Sequence, residues 1–333
     1  MSDRMQVELS IIIVNWNSRA YLEKCIPTIY SDPGLESFEV IVVDNASYDG
    51  SKEFLEERFP TVQYIQSSSN LGFAKANNLG YSHSRGRHLL FLNPDTEVVA
   101  PALSRMLSAL RQTVNAAIIG PKLLNTDGSL QTSCVQAFPT ILNQVLDSEF
   151  LHEVAPKSHL WGTEALLRQG IGPTIVEMVS GACLMIKREA FEKLGLFATD
   201  YFMYAEDLDL CYRAGRAGWD VLYLNSAAVF HHGGGSTRNR QSRFTAVLTR
   251  ESLLIFMKKY YGFPFPLLFK ASAFINALAR LLILNIAYLL HVNAHSIAGS
   301  LVKWKGVLRW SLGLEKWASE LVIDHHRGVR QPE

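Results

Sequence analysis

Along the first hundred positions, apolar residues fall in short β-branched runs separated by stretches with helical spacing. Residues 9–14 are continuous and largely β-branched, which predicts a strand buried on both faces. Tyr21, Leu22, Cys25, Ile26 and Ile29 follow at helical spacing. Residues 40–43 repeat the buried-strand pattern and end on Asp44, and Asp49 and Ser51 suit the start of a helix carrying Phe54, Leu55 and Phe59. Residues 62–65 predict a third strand, a helix begins near Phe73, and residues 89–92 form a fourth strand running into Asn93-Pro94-Asp95. This alternation predicts an α/β fold with a mostly parallel central sheet and helices on both faces.

Beyond the alternation, Asn125-Thr126-Asp127-Gly128 reads as a hairpin turn. Residues 136–175 lack clear periodicity and read as a loop-rich insertion. Strands are expected at 176–186, 220–224 and 228–230, and a helix at 206–215.

Charge changes the picture only locally. The 333 residues are 48% hydrophobic and 19% charged, and the net charge of +1 excludes a polyelectrolyte partner such as nucleic acid. From Ser252 to Leu314 there is no Asp or Glu, while seven Lys or Arg occur. Residues 263–290 are strongly apolar but interrupted by Lys270 and Arg280; residues 281–302 are long enough to span a bilayer but contain Asn285, His291, Asn293 and His295. The expectation is a C-terminal helical membrane-associated segment, interfacial or re-entrant, attracted to an anionic membrane surface. Trp304, Trp310 and Trp317 would form its headgroup-level belt. A soluble helical subdomain or a homodimer interface is the alternative. Four cysteines stand far apart in apolar stretches without ligand spacing, which predicts buried free thiols in a reducing compartment. The N-terminus lacks the pattern of a signal peptide, so the catalytic part is expected on the cytoplasmic side.

In parallel sheets ligands bind beyond the carboxyl ends of the strands. Here those ends carry Asn15 and Asn17, Asp44 and Asn45, residues 67–70, and Asn93 and Asp95. Asp95, on the loop after a buried strand, suits a hard cation that would hold diphosphate oxygens, although Asn-Pro-Asp alone is also an ordinary turn. In the Asn70–Asn78 run, Gly72 permits close backbone approach, and a helix opening at Phe73 would offer unpaired N–H groups to phosphate or ribose. Glu206 and Asp207 fall in the first turn of a helix, where the dipole favours ionised carboxylates and an ionised Asp can accept a proton from a hydroxyl. Asp209 reads instead as an i+4 partner of Arg213. One of His231 and His232 can join Asp95 as a metal ligand, the other being a turn or core histidine. Arg238, Arg240 and Arg243 either clamp diphosphate or form a solvated basic loop.

The ordered series IIIVNWN, VIVVDNASYDGS, NLGFAKANN, LLFLNPDTEV, VSGACLMIKREAF, YFMYAEDLDLCYR and HHGGGST resembles glycosyltransferase family 2, the inverting enzymes with a GT-A fold. Within that family it is most similar to bacterial rhamnosyltransferases that use dTDP-rhamnose in surface polysaccharide or cell-wall synthesis. The resemblance implies a catalytic domain over residues 1–262, with a donor half at about 9–125 and an acceptor half at about 126–262, followed by the membrane-associated region at 263–333. It implies that Asn15, Asn17 and Asp44 hold the nucleoside, Asp44 reading the pyrimidine edge, with Asn45, Asp49, Gly72, Phe73 and Asn77 around the donor. Asp95 matches the last acid of the metal-binding D-x-D element, whose first acid is Asn93 here, and His231 aligns best with the metal-site histidine. Asp207 matches the catalytic base and Glu206 an acceptor-positioning acid.

The reaction this implies is a direct displacement with inversion, assisted by Mg2+ or Mn2+, from a nucleotide-sugar donor to a lipid-linked glycan acceptor. A UDP- or GDP-sugar donor is the nearer alternative. A non-catalytic module that binds nucleotide sugar or lipid is the more distant one, disfavoured by the joint presence of Asp95 and Asp207.

Overall fold

The computed structural model describes residues 7–146, 154–155, 158–168, 170, 172–233, 243–290 and 294–327. The strands are β1 (Leu9–Asn15), β2 (Phe38–Asp44), β3 (Gln63–Gln66), β4 (His88–Leu92), β5 (Thr96–Val99), β6 (Ala116–Leu124), β7 (Val135–Gln136), β8 (Thr174–Val176), β9 (Met178–Val179), β10 (Cys183–Lys187) and β11 (Asp220–His231). The helices are α1 (Arg19–Tyr30), α2 (Ser51–Arg58), α3 (Gly72–Ser82), α4 (Ala102–Gln112), α5 (Ile141–Leu146), α6 (Arg188–Lys193), α7 (Glu206–Arg216), α8 (Arg243–Tyr260), α9 (Phe265–Leu289), α10 (Ala294–Ser311) and α11 (Lys316–Arg327).

Packing divides the chain into two compact units: residues 1–138, 156–199 and 206–236, and residues 139–155, 200–205 and 237–333. The first is built on a mixed sheet of nine strands among the described residues, ordered β3-β2-β1-β4-β10-β6-β11-β5, with β8 beside β11. The expected parallel sheet is the run β3-β2-β1-β4, whose strands pair in parallel with neighbours. Beyond it β10 runs antiparallel to both β4 and β6, while β11 is parallel to β6.

The β-branched runs form central strands because both their faces are covered. Ile11, Ile13, Val40 and Val42 face a core shared with Leu22, Cys25 and Ile26 of α1 and Leu103, Met106 and Leu110 of α4. Ile41 and Val43 face the opposite side, with Ala76 of α3. Helix α3 lies close to the sheet because of Gly80, where a Cβ would come within 2.5 Å of Ile12 Cγ2. The four thiols are all free and buried, and burial pushes the Cys25 and Cys211 thiols up to about 12 and that of Cys134 to about 11.

Two sequence expectations change here. The single strand predicted at 176–186 is three strands, because β9 leaves the main sheet to pair with β7 before Ser180-Gly181-Ala182 turns the chain into β10. The strands expected at 220–224 and 228–230 are one, β11, with a bulge between Leu224 and Ala228. The turn at Asn125 is present: the Asn125 N–H donates to Ser129 O, and Leu124 bridges Leu130.

The second unit is helical. Phe269, Ala273 and Ala277 of α9 pack with Ala246, Val247 and Met257 of α8 and with Trp304, Val307 and Trp310 of α10. Two of the three tryptophans expected as a headgroup belt are therefore core residues, Trp310 at 2% exposed and Trp304 at 8%, and Trp317 is half-buried against that core. Each indole has a partner inside the unit. Trp310 Nε1 donates to Glu251 and Trp317 Nε1 to Glu315, while Arg280 lies over Trp304 and Lys270 over Trp310. The cations that interrupt the apolar run are thus turned toward aromatic faces of α10. What α9 exposes instead is apolar: Leu268, Ile275, Leu278, Leu282, Ile286 and Leu289, spaced by three, four or seven residues.

Glu315, the first acid after the cation-only stretch, is almost fully buried and accepts from Arg243 (2.7 Å to each oxygen), Arg309 (2.8 Å) and Trp317 (2.6 Å). Burial alone would raise its pKa, but these donors outweigh it and hold the carboxyl below 4.5. A depressed carboxyl stabilises the fold above its unfolded-state value, and that contribution is lost as pH falls through the folded value. Glu315→Gln is expected to lower Tm at neutral pH, by roughly 1–3 kcal/mol of stability given that both arginines are half exposed. In pH-dependent thermal melts, the gap between variant and wild type should close below pH 4.5.

Candidate active site

Parallel pairing in register puts Asn15 opposite Asp44, and Asp44 opposite Gln66, at the carboxyl edge of β1, β2 and β3. Asp44 is fully buried and both its oxygens are engaged. Its Oδ2 accepts from Asn15 Nδ2 (2.7 Å), and its Oδ1 accepts from the Ser47 N–H (2.7 Å) and Gln66 Nε2 (2.9 Å). Gln66 is held in turn by the Tyr64 hydroxyl, 2.6 Å away. Asn15 Nδ2 also reaches Ser47 and Ser51, and no donor among the described residues reaches its buried Oδ1. The edge is therefore a prearranged polar network, with Asp44 turned toward Gln66 and the following loop.

The loops after these strands close over one another. Asn17 takes φ +48°, and its Oδ1 accepts from the Tyr48 N–H. Asp49 accepts from the Arg19 N–H (2.7 Å) and from the N–H and hydroxyl of Ser51, so it ties the start of α1 to that of α2. Asn45 Nδ2 donates to Gly72 O (3.1 Å), and the Leu71 N–H donates to Asn45 Oδ1, which locks the turn into α3. Gly72 sits at φ +69°, a conformation that suits glycine. Phe73 packs edge-on against Phe197. Asn77 is buried and donates to Phe73 O within its own helix; its neighbour Asn78 makes the long-range pair, bonding both the N–H and O of Phe197.

On the other side of β1, the chain leaves β4 at Asn93 and Asp95. The antiparallel pairing of β5 with β11 sets Thr96 opposite His231, and the His232 N–H donates to Asp95 O (2.9 Å). His231 Nε2 lies 3.4 Å from Asp95 Oδ1 and 3.4 Å from Asn93 Nδ2, while Gln131 Oε1, 2.8 Å from Nδ1, orients the ring. His232 faces elsewhere, between Glu97 (2.9 Å) and the Thr126 hydroxyl (2.9 Å). Among the described residues no third His, Cys, Asp or Glu joins Asp95 and His231. One carboxylate oxygen and one imidazole nitrogen fit a divalent cation that keeps most of its shell for water and diphosphate oxygens.

Asp207 approaches the same edge from α7. Its Oδ2 accepts from the Gly181 N–H (2.7 Å) and its Oδ1 from the Leu208 N–H (2.8 Å). Next to Gly181, Ala182 O accepts from the Asn93 N–H (2.9 Å), so two hydrogen bonds and a dipeptide separate the Asp207 carboxylate from the loop that bears Asp95. Burial raises the Asp207 pKa, and the two backbone donors oppose it without cancelling it. Glu206 is buried at the helix start, after Tyr204 and Ala205 at φ +70° and +68°, two positive-φ residues of the strained kind found beside functional sites. Asp209 is fully buried and pairs with Arg213 (2.5 Å), as its spacing predicted.

Arg238 and Arg240 lie outside the described residues, and Arg243 is committed to Glu315. Sequence reasoning missed Gln66, Gln131 and Gly181. Gln66 was detectable as the polar end of the third strand, but nothing local marks Gln131, a hundred positions from the histidine it orients.

Comparison with known proteins agrees with this architecture. The model of glycosyl transferase family 2 matches residues 10–195, and that of glycosyl transferase family group 2 matches residues 144–313. The N-acetylglucosaminyl-diphospho-decaprenol L-rhamnosyltransferase of Mycobacterium tuberculosis is 28% identical over 267 residues, 76% of this chain and 85% of that protein. The low-salt glycan biosynthesis hexosyltransferase Agl10 of Haloferax volcanii is 31% identical over 68% of this chain and 67% of its own length. Among solved structures, the mannosyltransferase PcManGT of Pyrobaculum calidifontis, in complex with GDP-Man and Mn2+, is similar at TM-score 0.58 and 16% identity, over 93% of this chain and 88% of that one. GalNAc-T7 with UDP, GalNAc and Mn2+ is similar at TM-score 0.53 and 17% identity, over 69% of this chain and 44% of that one, so this chain spans less than half its length. The family match covers more than half of the chain, and the sheet carries its polar groups on one edge: this protein belongs to glycosyl transferase family 2 and is a glycosyltransferase.

Proposed function

We propose that the protein transfers L-rhamnose from dTDP-rhamnose, with inversion, to a polyprenyl-diphosphate-linked glycan at the cytoplasmic face of a membrane. The observation that carries the catalytic part is the short path from Asp207 through Gly181 and Ala182 to Asn93, which joins an acid of raised pKa to the Asp95–His231 pair. The rhamnosyl and lipid-linked parts rest on the rhamnosyltransferases among the relatives, the mycobacterial protein and WbbL of Escherichia coli, the latter 25% identical over 232 residues.

In this reading Asp207 accepts the proton of the acceptor hydroxyl while that oxygen attacks the anomeric carbon. The bond from that carbon to the diphosphate oxygen breaks, and the nucleoside diphosphate leaves on the opposite side. The two backbone N–H groups hold the carboxylate still and leave it lone pairs for the proton. Asp95 and His231, with Asn93 beside them, would hold Mg2+ or Mn2+; such a cation supplies positive charge to the departing diphosphate. Asn15, Asn17, Asp44, Asn45, Asp49 and Gly72 shape the nucleoside end, with Gln66 setting the orientation of Asp44. Glu206 supports the acceptor side.

A membrane location is supported by α9. It is the one helix among the described residues that is long and apolar enough to cross a bilayer, yet only 22% of its most apolar window is buried within the protein. A core helix would bury that face, and a solvent-facing helix would not be apolar there. The exposed stripe lies on a unit whose sequence carries seven cations and no acid between Ser252 and Leu314, which suits helices lying in an anionic interface.

Four outcomes are expected. Asp207→Asn should retain donor binding and lose transfer by roughly 10²–10⁴-fold. In wild type, the acid limb of kcat against pH should lie above the ordinary carboxylate value of 3.8, since the base acts ionised and its pKa is raised; a limb at or below 3.8 would contradict the assignment. In thermal-shift assays with Mn2+, dTDP-linked sugar should shift Tm more than UDP- or GDP-linked sugars, and equal shifts would defeat the rhamnosyl reading while sparing the class. With vesicles containing anionic lipid, the double variant Leu278→Glu/Leu282→Glu should partition at least about tenfold more weakly than wild type, with transfer to a water-soluble acceptor unchanged.

A further inference from the structure

Among the described residues, the tripeptide Ser180-Gly181-Ala182 bridges the two ends of the site, and its middle residue has no side chain. Gly181 does not have a left-handed φ, so its backbone is one that any residue can adopt. What is special is the space. A Cβ built on it would lie 3.2 Å from both Cβ and Oδ2 of Asp207 and 3.5 Å from Cγ. That is closer than ordinary van der Waals contact, so one partner would have to yield.

The loop is poorly placed to yield. The Ser180 N–H donates to Cys134 O (3.1 Å), the Ala182 N–H donates to Ser180 Oγ (3.2 Å), and Ala182 O accepts from the Asn93 N–H (2.9 Å). One residue later the chain enters β10, where Cys183 pairs with Leu92. Among the described residues the carboxylate is held by the Gly181 and Leu208 N–H groups, and added bulk would displace the acid. Gly181 itself carries no side chain that could touch a substrate.

We propose that Gly181 is a positioning residue: its N–H and its missing Cβ together set the Asp207 carboxylate at a fixed place relative to the Asn93–Asp95 loop. The inference rests on the reading of Asp207 as the base. It identifies the glycine of the Val179–Cys183 segment as part of the catalytic geometry, whereas a linker glycine would serve only the passage from β9 into β10. A carboxylate moved by a few tenths of an ångström to 1 Å still binds nothing less of the donor, yet meets the acceptor hydroxyl badly, and misplacement on that scale costs up to about 10²-fold in rate.

The test is Gly181→Ala in the full chain, which keeps the N–H and adds one methyl. Steady-state kinetics with nucleotide-sugar donor and Mn2+ should show kcat lowered roughly ten- to a hundredfold, with donor KM and Tm unchanged. The acid limb of kcat should also move upward, because the displaced carboxylate loses the Gly181 donor that opposes its burial. Wild-type kcat in Gly181→Ala would overturn the proposal. So would a variant that fails to fold, or one whose Tm or donor KM worsens in step with kcat, since Gly181 would then be a packing residue. Asp207→Asn run alongside separates the two ideas: full transfer by that variant overturns the base assignment itself, whereas an inactive Asp207→Asn beside a fully active Gly181→Ala overturns only the role of Gly181.

Discussion

The structure of the site depends on a change of strand direction between β4 and β10. Four parallel strands deliver their carboxyl ends to one edge, as parallel sheets do. A fifth parallel strand would have begun at the opposite edge and left the residues that precede it there. The antiparallel β10 instead begins where β4 ends, with Cys183 opposite Leu92, so the residues just before β10 arrive at the loop just after β4. The same device recurs at β5, whose antiparallel pairing with the end of β11 seats His231 beside Asp95. Backbone ladders buried in the core thus set distances between side chains that lie a hundred or more positions apart.

The parallel half was legible because each of its strands is a local statement. Residues 9–14 and 40–43 are continuous β-branched runs, and their polar termini follow directly. The antiparallel half was not legible in the same way. Residues 176–186 look like one strand, and the break at Gly181 has its reason in Asp207, twenty-six positions later. Helix α4 buries Leu103, Met106, Leu107 and Leu110 at helical spacing, a pattern the sequence does contain, but it falls beyond the alternation that the first four strands establish. Asp95 and Asp207 could be singled out by residue type and context, whereas Gln66 and Gln131 act by orienting other groups, and an orienting amide has no pattern of its own.

The helical unit makes a related point about composition. A segment rich in tryptophan, lysine and apolar residues fits an interfacial belt and an aromatic core lined with cations equally well by count. The difference lies in which face each residue occupies, and that depends on two carboxylates, Glu315 buried and Glu251 half-buried. Glu251 and Glu315 attract the indole N–H groups of Trp310 and Trp317, while Arg280 and Lys270 cover the rings of α10. With its polar interactions directed inward, α9 is left with an apolar outer stripe.

The four cysteines carry a practical consequence. Each thiol is buried and held far from ionisation by its apolar surroundings, and the thiolate is the reactive form toward maleimides and iodoacetamide. Because Cys25, Cys134, Cys183 and Cys211 all belong to the sheet-bearing unit, alkylation of the native chain reports how often that unit opens, with no engineered probe and no background from the helical one. A single fluorophore attached through a cysteine introduced on the C-terminal helices would correspondingly report on them alone.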